Sequence, residues 1–335
     1  MTTWYVKDEY QESLAPLSDL RATFEQRTGG LTTLERLTQQ MGCAPSGFLC
    51  DDELRAKMIS HRTGLSRVEG VESTLVEHPI IKTPWDILRF LPELLILDLQ
   101  HAEPLGCDCD AQQYGDYHVD VHQSARIFPG VVFDTSRGAI RIEKDAVVRP
   151  NAVLCGPCWI GSNSTIIDGA IIKPNTVLGP HCKVGGEVGA TIFQGYANKS
   201  HDGHLGDSVI GEWVNLGAGT TNSNLLNTYS DVILTDLSGK RHKTGSQFVG
   251  CFVGDHVKFA ICSKIMTGTI VGTGAMIATT APVPLSTKRF AWITDSGQRS
   301  YQIEKFLDVA RTVMARRNKE LDIATESMLR KLAEA

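Results

Sequence analysis

From Ile142 the chain repeats in steps of six. IEKDAV, VRPNAV, LCGPCW, IGSNST, IIDGAI, IKPNTV, LGPHCK and VGGEVG (142–189) each open on Ile, Leu or Val. Their fifth positions (Ala146, Ala152, Cys158, Ser164, Ala170, Thr176, Cys182, Val188) are small or β-branched. The register resumes at Ile210 (IGEWVN, LGAGTT) and again at Val253 (VGDHVK, FAICSK, IMTGTI, VGTGAM, IATTAP). This period is neither the 3.6 of a helix nor the simple alternation of a half-buried strand. It predicts a parallel β-solenoid in which each hexad is one short strand plus a turn. Three hexads close a triangular coil, and coils stack at the sheet spacing of about 4.8 Å. The opening aliphatic then points into the prism, the small fifth residue rounds the corner, and Gly, Asn and Asp supply the turns.

Two segments, 190–208 and 222–250, fall outside this register and are predicted as loops leaving one face of the prism. The first would be an excursion containing NKSHDGH (198–204). The second holds VILTDL (232–237), which reads as a strand, and SGK, a turn. Before the repeat, 31–41, 51–60 and 84–100 read as helices, the last with a Thr83-Pro84 start signal. Residues 48–50 and 73–77 read as short strands, and 105–118 as a linker. After Pro284 the hexads stop. From about residue 300, Ile303, Leu307, Ala310 and Met314, then Leu321, Ala324 and Met328, recur at three- and four-residue spacing. That is a helical stripe, suited to packing on the solenoid or a neighbouring subunit. The expected division is therefore mainly β: a small α/β segment over 1–118, a hexapeptide-repeat prism over 119–285 and a helical tail over 286–335.

Composition narrows the function classes. The chain has 335 residues, a formal charge of −5, 42 % hydrophobic and 21 % charged residues, which is globular. A mildly acidic balance gives no electrostatic reason to expect a nucleic-acid partner. The most apolar stretch, 87–99, carries Arg89, Glu93 and Asp98, so no membrane span is expected. The first residues show no basic and then apolar signal pattern. Nine cysteines, an odd number, suit reduced thiols in a cytoplasm. Residues 1–118 contain no glycine-rich phosphate loop of the Rossmann or Walker type.

The chemistry-bearing stretch is 185–225, GGEVGATIFQGYANKSHDGHLGDSVIGEWVNLGAGTTNSNL. It brings Glu187, His201, His204, Asn215 and Asn224 to one junction. Acylation of an amine needs a base near neutral pH, which imidazole supplies. It needs donors for a tetrahedral oxyanion, which backbone N–H groups of a Gly/Ala turn such as Gly217, Ala218 and Gly219 can give. A sugar needs neutral and acidic partners for its hydroxyls. Other constellations are weaker. Cys155 and Cys158 straddle a hexad boundary and read as packing, and Cys107 and Cys109 form only a lone C-x-C in the linker. The histidine spacing does not fit a three-histidine metal site, so no metal is expected. Asp202, adjacent to His201, reads as a turn residue.

The hexads together with HLGDSVIGEWVNLGAGTTNSN resemble the acetyltransferase half of the bacterial glucosamine-1-phosphate N-acetyltransferase / UDP-N-acetylglucosamine pyrophosphorylase family. They look closest to a divergent branch with GGEV, GYxNKxHDGxLGxSVIGEWxNLGAGT and NxSNL runs. The likeness covers about 142–284. PLSDLRATFEQRTGGLTTLERL (16–37) and IKTPWDI (81–87) resemble that branch's shortened nucleotidyltransferase-like segment. Arg21 and Arg27 read as surface or intradomain ion pairs ahead of the alternative, remnants of a phosphate-facing strip. The resemblance implies a left-handed coil, a homotrimer and coenzyme A, as acetyl-CoA, between neighbouring prisms. It places His201 on the general base, Glu187, Asn215 and Asn224 on the sugar and acyl site, and Lys173 on a phosphate ligand. His204 stands where known members carry a tyrosine. Lys258 and Lys264, in the last coils, are candidates for coenzyme A phosphates. The family's second phosphate lysine is here Gly189, and another of its tyrosines is Leu225. Losing one of two charge-assisted phosphate contacts costs about 1.5–3 kcal/mol, so acyl transfer is better specified than its acceptor. The implied activity is N-acylation of an amino sugar, phosphorylated or nucleotide-linked. The alternatives are a non-catalytic trimeric scaffold or sugar-nucleotide-binding protein, and residual sugar-phosphate nucleotidyl transfer by the first segment.

Overall fold

The structure, a computed structural model, describes residues 3–9, 12–71, 81–107 and 111–334. The possible strand at 73–77 and most of the Cys107–Asp110 group lie outside them. The body of the molecule is a left-handed parallel β-helix of about ten turns. Its openers Val148, Leu154, Ile160, Ile166, Ile172, Leu178 and Val184 are all fully buried in one continuous core. Over this stretch the coil length is constant: Cys158 pairs with Ile140 below and Thr176 above, 18 residues away on each side.

The coil then shortens rather than opening into an excursion. Ile171 pairs with Glu187, Val177 with Ile192 and Lys183 with Asn198, at separations of 16, 15 and 15 residues. Residues 190–208 are thus ordinary coil, with strands Ile192–Phe193, Asn198–Lys199 and His204–Gly206. The six-residue step disappears there because three corners are cut short. The inward residues become Val184, Val188, Phe193, Lys199, Leu205 and Ile210, spaced four, five, six, six and five. Val188, which the repeat reads as a corner residue, is an inward strand residue. The second break is a true insertion. Val209 pairs with Phe252, and the intervening chain forms an antiparallel hairpin of Ile233–Thr235 and Arg241–Lys243.

Strands of the prism also extend beyond the hexads on both sides, from Gln112–Tyr114 to Ala291–Thr294. The prism has three faces. The first runs from Val119–His122 to Ser286–Thr287 and is covered by helix α3, Pro84–His101. Ile87, Leu91, Leu95 and Leu99 of α3 bury Trp159, Val177, Ile192 and Val209. The second face runs from Arg126–Ile127 to Ala291–Thr294. The third holds Gln112–Tyr114 through His204–Gly206, continued by the paired strands Thr221–Asn222 and Lys264–Ile265. Corners between the first two faces carry His181, Tyr196, Trp213 and His256 at φ of 54–63°. Left-handed backbone is costly for such residues, and their rings form a continuous stack along the edge.

Helices α1 (Thr33–Met41) and α2 (Glu53–Thr63) start at the N-caps Thr32 and Asp52 and end at left-handed Gly42 and Gly64, as cap chemistry dictates. They share a core with the tail helices α4 (Ile303–Ala315) and α5 (Ile323–Glu334). Buried arginines bolt these parts to the prism. Arg21 meets Asp255 at 2.5 Å, and Arg289 meets Asp19 at 2.8 Å. Arg27 pairs with Glu35. Both arginines of the phosphate-like strip are therefore held in ion pairs.

Candidate functional site

On the third face, neighbouring strands set Glu187 beside His204 and Gly189 beside Gly206. The ladder places Lys173 next to Gly189, where an added Cβ would stand 2.9 Å from the Lys173 Cβ. A side chain at 189 would therefore compete with Lys173 for the same space. At Gly206 an added Cβ would stand 2.7 Å from His204 Nε2 and 2.8 Å from Asn224 Nδ2. The two glycines thus form a bare floor. Lys173, Glu187, His204 and Asn224 stand around it.

The groups on this floor are linked. His204 Nδ1 lies 3.5 Å from Glu187 Oε1, with both side chains partly exposed. Asn224 Nδ2 donates to Asp207 Oδ2 at 2.6 Å. Burial raises the Asp207 carboxyl above its ordinary value, while the Asn224 hydrogen bond works the other way. Sequence reasoning did not single out Asp207, although it sits inside the HLGD run. Beneath the floor, Asn222 accepts from Gly206 N at 2.8 Å and donates to Gly206 O at 2.9 Å, so this inward polar side chain is satisfied.

His201 sits on the edge between the second and third faces, exposed, in the corner that joins Asn198–Lys199 to His204–Gly206. Gly217, Ala218 and Gly219 form the next corner up the same edge, tied to the first by Gly219 N donating to Asp202 O at 3.2 Å. A Cβ on Gly217 would meet the backbone of Ala260 and Ile261 at 2.6 Å. That glycine makes room for the chain's own next coil. Gly217 N donates to Phe259 O. Among the described residues Ala218 N–H donates to no other group, which leaves it as the unspent amide of the three.

The remaining sequence candidates are not gathered on the third-face floor. Asn215 lies on the second face, exposed, between Asn198 and Lys258. The Lys258 ammonium donates to Trp213 O, and burial lowers its pKa to about 8. Lys264 is exposed on the continuation of the third face beside Thr221. Cys155 and Cys158 belong to different strands, and the Cys158 thiol is pushed up by burial. Among the described residues, no three His, Cys, Asp or Glu side chains gather as a metal ion would need, and no helix is long and apolar enough to cross a membrane.

No family model matches the chain. A bifunctional sugar-1-phosphate nucleotidylyltransferase/acetyltransferase of Sulfurisphaera tokodaii is 36 % identical over 91 residues, 27 % of this chain and 22 % of that protein. The bifunctional protein GlmU of Methanococcus vannielii is 32 % identical over 132 residues, 39 % of this chain and 26 % of that protein. The chain thus spans about a quarter of the length of the curated relatives it matches. Among solved structures, a perosamine N-acetyltransferase variant from Caulobacter crescentus, in complex with CoA and GDP-perosamine, aligns over 89 % of this chain and 96 % of its own. Identity is 12 % and the TM-score 0.17. The polySia-specific acetyltransferase NeuO aligns over 57 % of this chain and 84 % of its own, at 12 % identity and a TM-score of 0.26. At these scores neither likeness bears on chemistry.

Proposed function

We propose that this chain is an acyl-CoA-dependent N-acetyltransferase acting on an amino sugar, and that it works as a homotrimer whose clefts are completed by a neighbouring prism. The observation that carries this reading is the floor of Gly189 and Gly206, ringed by Lys173, Glu187, His204 and Asn224. It lies next to an edge bearing both His201 and the Ala218 amide. The partial relatives, sugar-phosphate nucleotidyl- and acetyltransferases by name, support the same direction.

In this reading His201 takes the proton of the attacking amine. The Ala218 N–H faces the oxygen that becomes anionic. Glu187 and Asn224 hold sugar hydroxyls, and Lys173 holds an anionic substituent. Acetyl-CoA supplies the activated acyl group. Lys264 is the lysine open to its phosphates, because Lys258 is already bound to Trp213 O. Asn215 reaches the acyl group from the second face, across the shared edge.

The test is thiol release from acetyl-CoA across a panel of amino sugars, their phosphates and nucleotide-linked forms. Turnover with at least one acceptor is expected, and His201→Ala is expected to lower kcat by roughly 10²–10⁴. Absence of both turnover and coenzyme A binding across the panel would leave a scaffold as the better reading. Residual nucleotidyl transfer gains nothing from the structure, since Arg21 and Arg27 are spent in ion pairs.

A further inference from the structure

One inward position of the prism holds a charge. Along the second face the inward column reads Val148, Ile166, Val184, Lys199, Leu216 and Phe259. Every member except Lys199 is apolar. Lys199 is 2 % exposed, so its stem packs where an aliphatic belongs. Its ammonium turns to the corner and donates to two carbonyls, Gly185 O and His201 O, each at 3.0 Å. An added Cβ at Gly186, which sits at φ +71°, would stand 2.7 Å from Gly203 O and 2.8 Å from Lys199 Nζ, so the next coil and the ammonium both close this corner to a side chain. In the coil below, the same corner is longer and runs through 167–170. The ammonium thus fills a corner shortened to Gly185 and Gly186, under the corner that presents His201.

An isolated buried ammonium is expensive, and here it is kept and satisfied. A methionine or leucine would fill the column more cheaply. Burial lowers the Lys199 pKa to about 8. What the charge supplies, and an aliphatic could not, is a hold on the carbonyl of His201 itself.

We infer that Lys199 is a positioning residue of the candidate site: from inside the prism its ammonium clamps the His201 backbone and fixes where the imidazole is presented. This rests on the acyl-transfer reading for its kinetic consequence, though not for its structural one. The imidazole makes no side-chain hydrogen bond among the described residues, so its placement depends on its backbone. A displacement of about 1 Å at a catalytic group can cost on the order of 10²-fold in rate.

The experiment compares the full-length protein with Lys199→Met, which keeps the stem and loses the ammonium, and Lys199→Arg, which can still donate. Acetyl transfer is measured alongside amide hydrogen exchange at 200–204 and Gly219. For Lys199→Met, kcat is expected to fall about 10–100-fold, with KM for both substrates within about 2-fold and faster exchange confined to that corner. Lys199→Arg is expected to recover part of both. An unchanged kcat with unchanged exchange in Lys199→Met overturns the inference. So does a loss of kcat that comes with unfolding of the whole prism in both variants. If the wild-type protein transfers no acyl group, the functional reading fails on its own, and the exchange data still decide whether Lys199 holds the His201 corner.

Discussion

The coils from Ile142 to Val184 and those from Val184 to Asn222 are built on the same backbone, yet they solve opposite problems. In the lower stack every inward opener is aliphatic and every coil takes 18 residues. Its corners are occupied by the residues that close it. In the upper stack three corners are cut short, an ammonium and an amide enter the interior at Lys199 and Asn222, and the outward face is stripped to Gly189 and Gly206. Stacking hydrophobic coils buys a rigid rod. Shortening a few of them rotates particular side chains onto one floor, and the polar interior then pins the corners that the shortened turns leave less constrained. The candidate chemistry lies in the stretch where the repeat is least perfect, as expected when local rules give way at a functional site.

The sharpest way to break the comparison is to move the charge two coils down the same inward column. Ile166 and Lys199 point into the same prism from the same face. Below Lys199 the corner is shortened to Gly185 and Gly186, whereas below Ile166 it keeps its full length through 149–152, with Pro150 in it. Ile166→Lys is therefore expected to leave an ammonium without carbonyl partners and to cost on the order of 3–5 kcal/mol. That is a large share of a typical domain's stability. Urea unfolding should show a midpoint far below wild type. Lys199→Met should unfold at or above the wild-type midpoint.

This same contrast explains what could be read in advance. The sequence shows Ile142 through Val184 at an unbroken period of six, so the prism, its inward column and its corners are legible. Helices α1 to α3 are legible, α3 with its Thr83-Pro84 start, although the readings at 31–41 and 51–60 begin two residues early, ahead of the caps Thr32 and Asp52. Past Val184 the phase is lost, because the inward steps become four and five and because Lys199 does not look like a core residue. With the phase goes the knowledge of which face a side chain occupies. Glu187, His204 and Asn224 do gather on one face with Lys173. Asn215, only nine residues before Asn224, belongs to another face, and its sequence spacing gives no hint of that. Asp207 and Lys199 are visible in the motif, but their partners, Asn224 and the carbonyls of Gly185 and His201, exist only once the coils are stacked.

Glycine substitution sharpens the comparison at a smaller scale. At Gly161 in the lower stack an added Cβ would stand 2.5 Å from Leu178 O and 2.7 Å from Gly179 C. Backbone cannot step aside cheaply, so Gly161→Ala is expected to destabilise by about 1–3 kcal/mol. At Gly206 the same methyl meets only the ends of the His204 and Asn224 side chains. Gly206→Ala is expected to change stability by less than about 1 kcal/mol, while acyl transfer falls because both side chains leave the floor. Thermal melts paired with the thiol-release assay separate the two. Equal losses of stability would mean that the upper floor is structural after all.

A pH series isolates the interior charge. Lys199 holds its proton with a pKa of about 8 in the folded chain against an ordinary value of 10.5. The folded chain therefore gives up this proton near pH 8, whereas the unfolded chain keeps it to about pH 10.5. Between those values the unfolded state binds more protons, and stability rises with pH wherever it does. Below pH 8 both states are protonated and the full cost of burying the charge remains. Burial brings Lys258 to about 8 as well, so the informative quantity is the difference between wild type and Lys199→Met, not either curve alone. That difference should be flat up to about pH 7. From pH 8 to pH 10 it should move in favour of the wild type, by an amount on the order of 2–3 kcal/mol at most. A difference that stays flat through pH 10 would mean the ammonium is solvated in the folded chain. The prism would then have no charged interior at that coil, and the contrast between its two halves would rest on glycine and corner length alone.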